Sequence, residues 1–222
     1  MNLKKIIAAF LLFFISVTAL NAQQTLPFWG DIQAFKKQDS IKFPAPNQIL
    51  FIGSSTFTKW KNVQQDFPAY QILNRGFGGA VLSNLIQYRY DIIYAYQPKQ
   101  IVIYCGENDL SNNDSVSAKT VLSRFDILFR FIRSKYPEIP IAFISIKPSP
   151  SREKFWPKFF EANSLISKYL TTQKNTAFID IYAQMLNADG TARMDLYLED
   201  HLHMNAKGYA IWKKIIQPYL LK

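Results

Sequence analysis

The chain has 222 residues, 49% of them hydrophobic and 15% aromatic, which is enough for a filled core and excludes a wholly disordered chain. One cysteine, Cys105, excludes an internal disulfide framework, and two histidines, His201 and His203, leave little for a histidine-rich metal cage. The net charge is +10, but Lys and Arg are scattered without a zinc-finger, RNP-like or basic-helix pattern, so the chain is read as binding no nucleic acid.

Residues 1–22 read as an address. Lys4 and Lys5 precede an apolar run from Ile6 to Leu20, and Asn21-Ala22 ends it with a small residue at the cut. This is the layout of a secretory signal peptide, and the run is shorter than the roughly 20 residues of a comfortable membrane span. The expectation is an exported protein, periplasmic or extracellular, without a stable membrane span after cleavage. An uncleaved anchor is the alternative. Cleavage removes two lysines and no acid, leaving 24 basic and 16 acidic residues, or +8.

Residues 23–222 carry no repeat or flexible linker and are read as one domain. Short apolar runs recur along them: Ile49-Leu50-Phe51-Ile52, a weaker Ile72-Leu73, Ile101 to Cys105, Ile141-Ala142-Phe143-Ile144, and Ala177 to Ile181. Such runs, not alternating with polar residues, suit strands buried on both faces. Helical patterns separate them at Val81–Tyr96, Val121–Tyr136 and Phe159–Leu170, and a last one runs from Ala206 to Leu220. Phe155, Phe159 and Phe160 read as one core-facing helix face. Strands alternating with helices predict an α/β fold with a five-stranded parallel sheet covered on both sides. Cys105, inside an apolar run, reads as a small core residue.

Open parallel sheets bind ligands at the carboxyl ends of their strands. After the first run come Gly53-Ser54-Ser55, after the second Asn74 to Gly79, and after the third Gly106-Glu107-Asn108-Asp109. Ser55 is a nucleophile only if a base takes its proton; otherwise it reads as a helix N-cap. The bases on offer lie in Asp200-His201-Leu202-His203. Asp200 and His203 are three apart, a spacing that brings a carboxylate to an imidazole in a turn, and His203 is favoured over His201, with Asp195 a rival acid. Gly79 N–H, the Asn108 amide and Ser55 N–H are candidate oxyanion donors. Gly76 and Gly78 read as turn glycines. Lys147 to Arg152 reaches the same rim and reads as a proline-stiffened loop; substrate contact by Arg152 and Trp156 is the alternative.

The blocks "FIGSS", "NRGFGG", "GEND" and "DHLHMNAKGY" stand in the order and approximate spacing of the SGNH (GDSL-type) hydrolase family, so residues 48–215 resemble it. The resemblance implies a three-layer α/β/α sandwich similar to flavodoxin, esterase or acylhydrolase chemistry, and no metal or organic cofactor. It maps the nucleophile to Ser55, oxyanion donors to Ser55, Gly79 and Asn108, and the acid and base to Asp200 and His203. The first block departs from Gly-Asp-Ser-Leu, reading Gly53-Ser54-Ser55-Thr56. The expected substrate is a small-molecule or glycan ester, first a short acyl group on carbohydrate. A lysophospholipid or lipid ester is the runner-up, and a non-catalytic binding module on the same fold the second class.

Overall fold

The computed structural model describes residues 26–222; the expected signal peptide, residues 1–22, lies outside the described residues. Five strands form one parallel sheet: β1 (Ile49–Gly53), β2 (Ile72–Gly76), β3 (Gln100–Tyr104), β4 (Ile141–Ile144) and β5 (Thr176–Ile179). Their spatial order is β2-β1-β3-β4-β5, the flavodoxin-like winding. The order reverses between β1 and β3, so the crevice outside their carboxyl ends is the place this topology leaves open for a ligand. β1, β3 and β4 are buried throughout, as their unbroken apolar sequences require.

The helices are α1 (Trp29–Ile41), α2 (Ser55–Lys59), α3 (Val63–Asp66), α4 (Leu82–Gln87), α5 (Arg89–Ile92), α6 (Glu107–Ser111), α7 (Ala118–Lys135), α8 (Trp156–Thr171) and α9 (Ala206–Ile216). Residues 31–222 cluster as one compact unit. On one face of the sheet, Ile49, Phe51, Val102 and Tyr104 join Phe57 of α2 and Tyr209, Trp212 and Ile216 of α9 in a single core. On α7, Phe125 meets Phe143 of β4 edge-on at 4.9 Å. Polar caps start the long helices: Ser117 Oγ accepts from Thr120 N at 3.1 Å, and Asn205 Oδ1 accepts from Lys207 N and Gly208 N.

Four expectations need correction. The single helix over Val81–Tyr96 is two short helices that meet at Tyr88. The last helix leaves α geometry after Ile216, because Pro218 follows and the chain tightens into a 3-10 turn, Gln217–Tyr219. Phe160 is not a core residue: Phe155 and Phe159 are buried, but Phe160 is 66% exposed, since its position on α8 turns it outward. Gly76 is the last residue of β2 rather than part of the turn, which is left to Gly78 and Gly79. α1 was not anticipated; only Ile32 among its residues is buried, so it has no apolar stripe to announce it.

Candidate active site

The turn after β1 depends on a missing side chain. A Cβ on Gly53 would stand 2.0 Å from the Tyr104 carbonyl oxygen of the neighbouring strand. That closeness lets Ser54 N donate to the same carbonyl at 3.1 Å, which ends the strand and turns the chain outward. Ser54 takes the N-cap position in extended geometry without a side-chain cap bond, and Ser55 is the first helical residue. The capping role read for Ser55 therefore belongs positionally to its neighbour, and the Ser55 hydroxyl is left for another partner. Gly76 serves the same turn from β2: a Cβ there would lie 2.6 Å from Phe57 Cβ, so glycine lets α2 settle on the sheet. Asn74 Nδ2 then donates to Phe57 O at 2.7 Å.

Ser55 Oγ lies 3.0 Å from His203 Nε2, and His203 Nδ1 lies 2.6 Å from Asp200 Oδ2. Ionised Asp200 only accepts, so Nδ1 carries the proton and the Nε2 lone pair faces the Ser55 hydroxyl. Asp200 Oδ1 accepts from Leu202 N at 3.0 Å and His203 N at 2.8 Å, folding residues 200–203 into the turn that closes the pair. Burial opposes the Asp200 charge, but the hydrogen bonds from the His203 ring, His203 N–H and Leu202 N–H outweigh it and hold the carboxyl well below its ordinary range. The rivals are elsewhere. His201 is exposed with φ 51°, and Asp195 faces Arg193 at 3.8 Å.

The block Gly106-Glu107-Asn108-Asp109 spends each polar side chain on a neighbouring segment. Asn108 is buried and donates through Nδ2 to Ala80 O at 3.0 Å, leaving the second amide hydrogen unspent by that bond. Cys105 Sγ also points to Ala80 O, at 3.6 Å, as a buried free thiol that burial pushes well up in pKa. Asp109 Oδ2 accepts from Leu82 N at 3.0 Å and Oδ1 from Arg124 Nη1 at 2.7 Å. The loop carrying Gly79 is thus fixed on its far side at both residues 80 and 82. Gly79 has φ 81°, a conformation that favours glycine. Neither its N–H nor that of Ser55 finds an acceptor among the described residues, so both are available as donors.

Glu107 was not singled out by sequence. It is buried beneath this rim, and Tyr104 Oη and Lys147 Nζ each donate to its Oε2 at 2.7 Å. Ser149 Oγ donates to Oε1 at 2.5 Å, and Arg152 Nη1 stands 3.3 Å from the same oxygen. Burial opposes the Glu107 charge, and the cations Lys147 and Arg152 overcome it, so the carboxyl titrates below its usual range. Trp156 Nε1 donates to Ser149 O at 3.0 Å, a structural tie within the loop. The loop also reaches the 200–203 turn: Ser151 N donates to His201 O at 3.0 Å. A groove of about 300 Å³ lies between the C-terminal end of α2 and the start of α9, lined by Lys59, Trp60, Asn62, Met204, Asn205 and Tyr209 among others and by none of Ser55, Gly79, Asn108, Asp200 and His203. Among the described residues, no three His, Cys, Asp or Glu side chains cluster as metal ligands, and no helix is long and apolar enough to cross a membrane.

Comparison with known proteins bears on the family and the fold. The model of the GDSL-like Lipase/Acylhydrolase family matches residues 52–211. No curated protein matches the chain. A Streptococcus pneumonia structure provisionally described as a platelet activating factor is similar, at 22% identity, with 96% of this chain and 99% of that one covered and a TM-score of 0.76. So is a GDSL-like lipase from Bacteroides thetaiotaomicron VPI-5482, at 19% identity, 85% and 96% coverage and a TM-score of 0.69. A family 3 carbohydrate esterase from Clostridium thermocellum is similar at 14% identity, 79% and 97% coverage and a TM-score of 0.61.

Proposed function

The chain belongs to the GDSL-like lipase/acylhydrolase family, whose members hydrolyse esters, and we propose that it is an exported serine esterase that removes short acyl groups from carbohydrate. The observation that carries the chemistry is the unbroken hydrogen-bonded line from Ser55 Oγ through His203 to Asp200. Ser55 Oγ attacks the ester carbonyl carbon while His203 Nε2 takes the hydroxyl proton. The imidazolium is steadied by the Asp200 carboxylate, whose depressed pKa keeps it charged across the neutral range. The carbonyl oxygen, now negative, takes hydrogen bonds from Ser55 N–H, Gly79 N–H and the unspent Asn108 amide hydrogen. His203 returns its proton to the leaving alkoxide oxygen, the carbon–oxygen bond breaks, and the alcohol departs. Water then attacks the acyl carbon as His203 takes its proton, the acyl–Ser55 bond breaks as His203 passes that proton to Ser55 Oγ, and the acid leaves.

Export rests on residues 1–22, and the carbohydrate reading on that export together with the fold shared with the family 3 carbohydrate esterase. Ser55→Ala is expected to lose several orders of magnitude in turnover of p-nitrophenyl acetate and to lose fluorophosphonate labelling, while Ser54→Ala keeps both. A Ser55→Ala protein that works at the wild-type rate refutes the nucleophile. Folded wild type that takes no label means a binding module. A rate series against p-nitrophenyl esters of increasing acyl length is expected to fall with length, and a rise means a lipid ester. Sequencing the N-terminus of the exported protein is expected to begin at Gln23.

A further inference from the structure

Arg152 stands apart from the charges around it. The Glu107 carboxylate is already supplied: Tyr104 Oη, Lys147 Nζ and Ser149 Oγ donate to its two oxygens, and Lys147 balances its charge. The other carboxylate of this wall, Asp200, is committed to His203 and two backbone N–H groups. Arg152 therefore adds a second cation beside Glu107, whose closer counter-charge is Lys147. Its side chain is only 16% exposed, and its one ion pair, to Glu107 Oε1 at 3.3 Å, lacks hydrogen-bond alignment. Among the described residues its guanidinium finds no hydrogen-bond acceptor. Its donor nitrogens are not among the sealed, unpartnered atoms of the described residues, so they reach solvent and stand open to a ligand oxygen.

Its position says which ligand. The backbone of Arg152 follows Ser151, whose N–H holds His201 O in the segment of the catalytic turn. Its guanidinium reaches Glu107, the residue before Asn108. Arg152 thus links the segment that carries the base to the segment that carries the oxyanion donor. A guanidinium presents a planar fork of donors that matches a carboxylate in two parallel hydrogen bonds.

We infer that Arg152 is a substrate-binding residue of this site and takes a carboxylate carried by the ester. The inference rests on the esterase reading above and narrows its substrate to acidic esters. The carboxylate belongs either to the acyl group or to the sugar.

The test compares kcat/KM within two pairs of substrates, followed by acid release: monomethyl succinate against methyl butyrate, and O-acetylglucuronic acid against O-acetylglucose. The wild type is expected to prefer the acidic member of one pair, and the pair that shows it identifies the source. Arg152→Gln is expected to lower that preference ratio about 10- to 100-fold, the worth of one charge-assisted pair, with Arg152→Lys between. A wild type with no preference in either pair overturns the inference, and this reading stands even if the variant fails to fold. A ratio unchanged in folded Arg152→Gln also overturns it. Neutral-ester hydrolysis that Ser55→Ala abolishes shows that such a failure leaves the esterase reading intact.

Discussion

Replacing Asp200 with asparagine isolates what the carboxylate does for the base. The two oxygens of Asp200 have separate tasks: Oδ1 accepts from Leu202 N and His203 N, and Oδ2 accepts from the His203 ring. An asparagine of the same shape keeps an oxygen for the two backbone N–H groups, so the 200–203 turn survives. It places an amide N–H where Oδ2 stood, 2.6 Å from Nδ1. Two donors cannot face each other, so the ring moves its proton to Nε2 and points a donor, not a lone pair, at the Ser55 hydroxyl. The charge that steadies the imidazolium is lost as well, worth about 1.5–3 kcal/mol as a charge-assisted hydrogen bond. Together these predict a loss of roughly 10³–10⁴ in kcat, or about 4–5.5 kcal/mol of barrier. The assay is steady-state hydrolysis of p-nitrophenyl acetate at neutral pH, with circular dichroism to confirm the fold. A folded Asp200→Asn protein within tenfold of the wild-type kcat refutes the tautomer argument.

Asn108→Ala is expected to lower kcat about 10²- to 10³-fold, and also to destabilise by about 1–3 kcal/mol because the Ala80 carbonyl loses a buried donor; kinetics and a urea melt read the two effects separately. Gly53→Ala drives a methyl group into the Tyr104 carbonyl and is expected to cost about 3 kcal/mol, seen as a lower urea midpoint. Glu107 has a folded pKa held below its unfolded value near 4.3, so its contribution to stability is full above that pH and fades as pH falls through the lower folded value. Acid titration of the wild type is therefore expected to show stability falling below about pH 4. Glu107→Gln is expected to be less stable at pH 7, because it leaves Lys147 buried without its counter-charge, and to have a flatter acid limb. Parallel acid limbs in the two proteins would contradict this assignment.

The readable parts of the sequence were those where one residue type answers to one physical demand. β1, β3 and β4 are covered on both faces, and their apolar runs say so. The acid and base were readable because Asp200 and His203 sit in a local turn, where a spacing of three fixes a distance. Ser55 was readable from its place after a strand and His203 from its spacing to Asp200, while the ordered blocks joined the two across the chain. α1 was hidden because a helix that buries only Ile32 leaves no period. The break at Tyr88 was hidden too, since both halves are compatible with one helical pattern. Lys147 defied expectation most: a fully buried lysine is rare, and only its distant partner Glu107, 40 positions earlier in the chain, explains it. Arg152 was read as part of a stiff loop, with substrate contact as the alternative, and its approach to Glu107 was not visible from the sequence.

The Glu107–Lys147 contact has a consequence for how this protein can change by descent. Lys147 without Glu107 is stranded in a site with almost no solvent, whereas Glu107 without Lys147 keeps Arg152, so a substitution at 107 passes through a poorly folded ancestor unless 147 has already changed. Positions 107 and 147 are therefore expected to be inherited as a unit and exchanged together. The segments they anchor, one bearing Asn108 and the other Arg152, are then expected to diverge in step, so that lineages with a neutral pair here have also rebuilt the loop between β4 and α8.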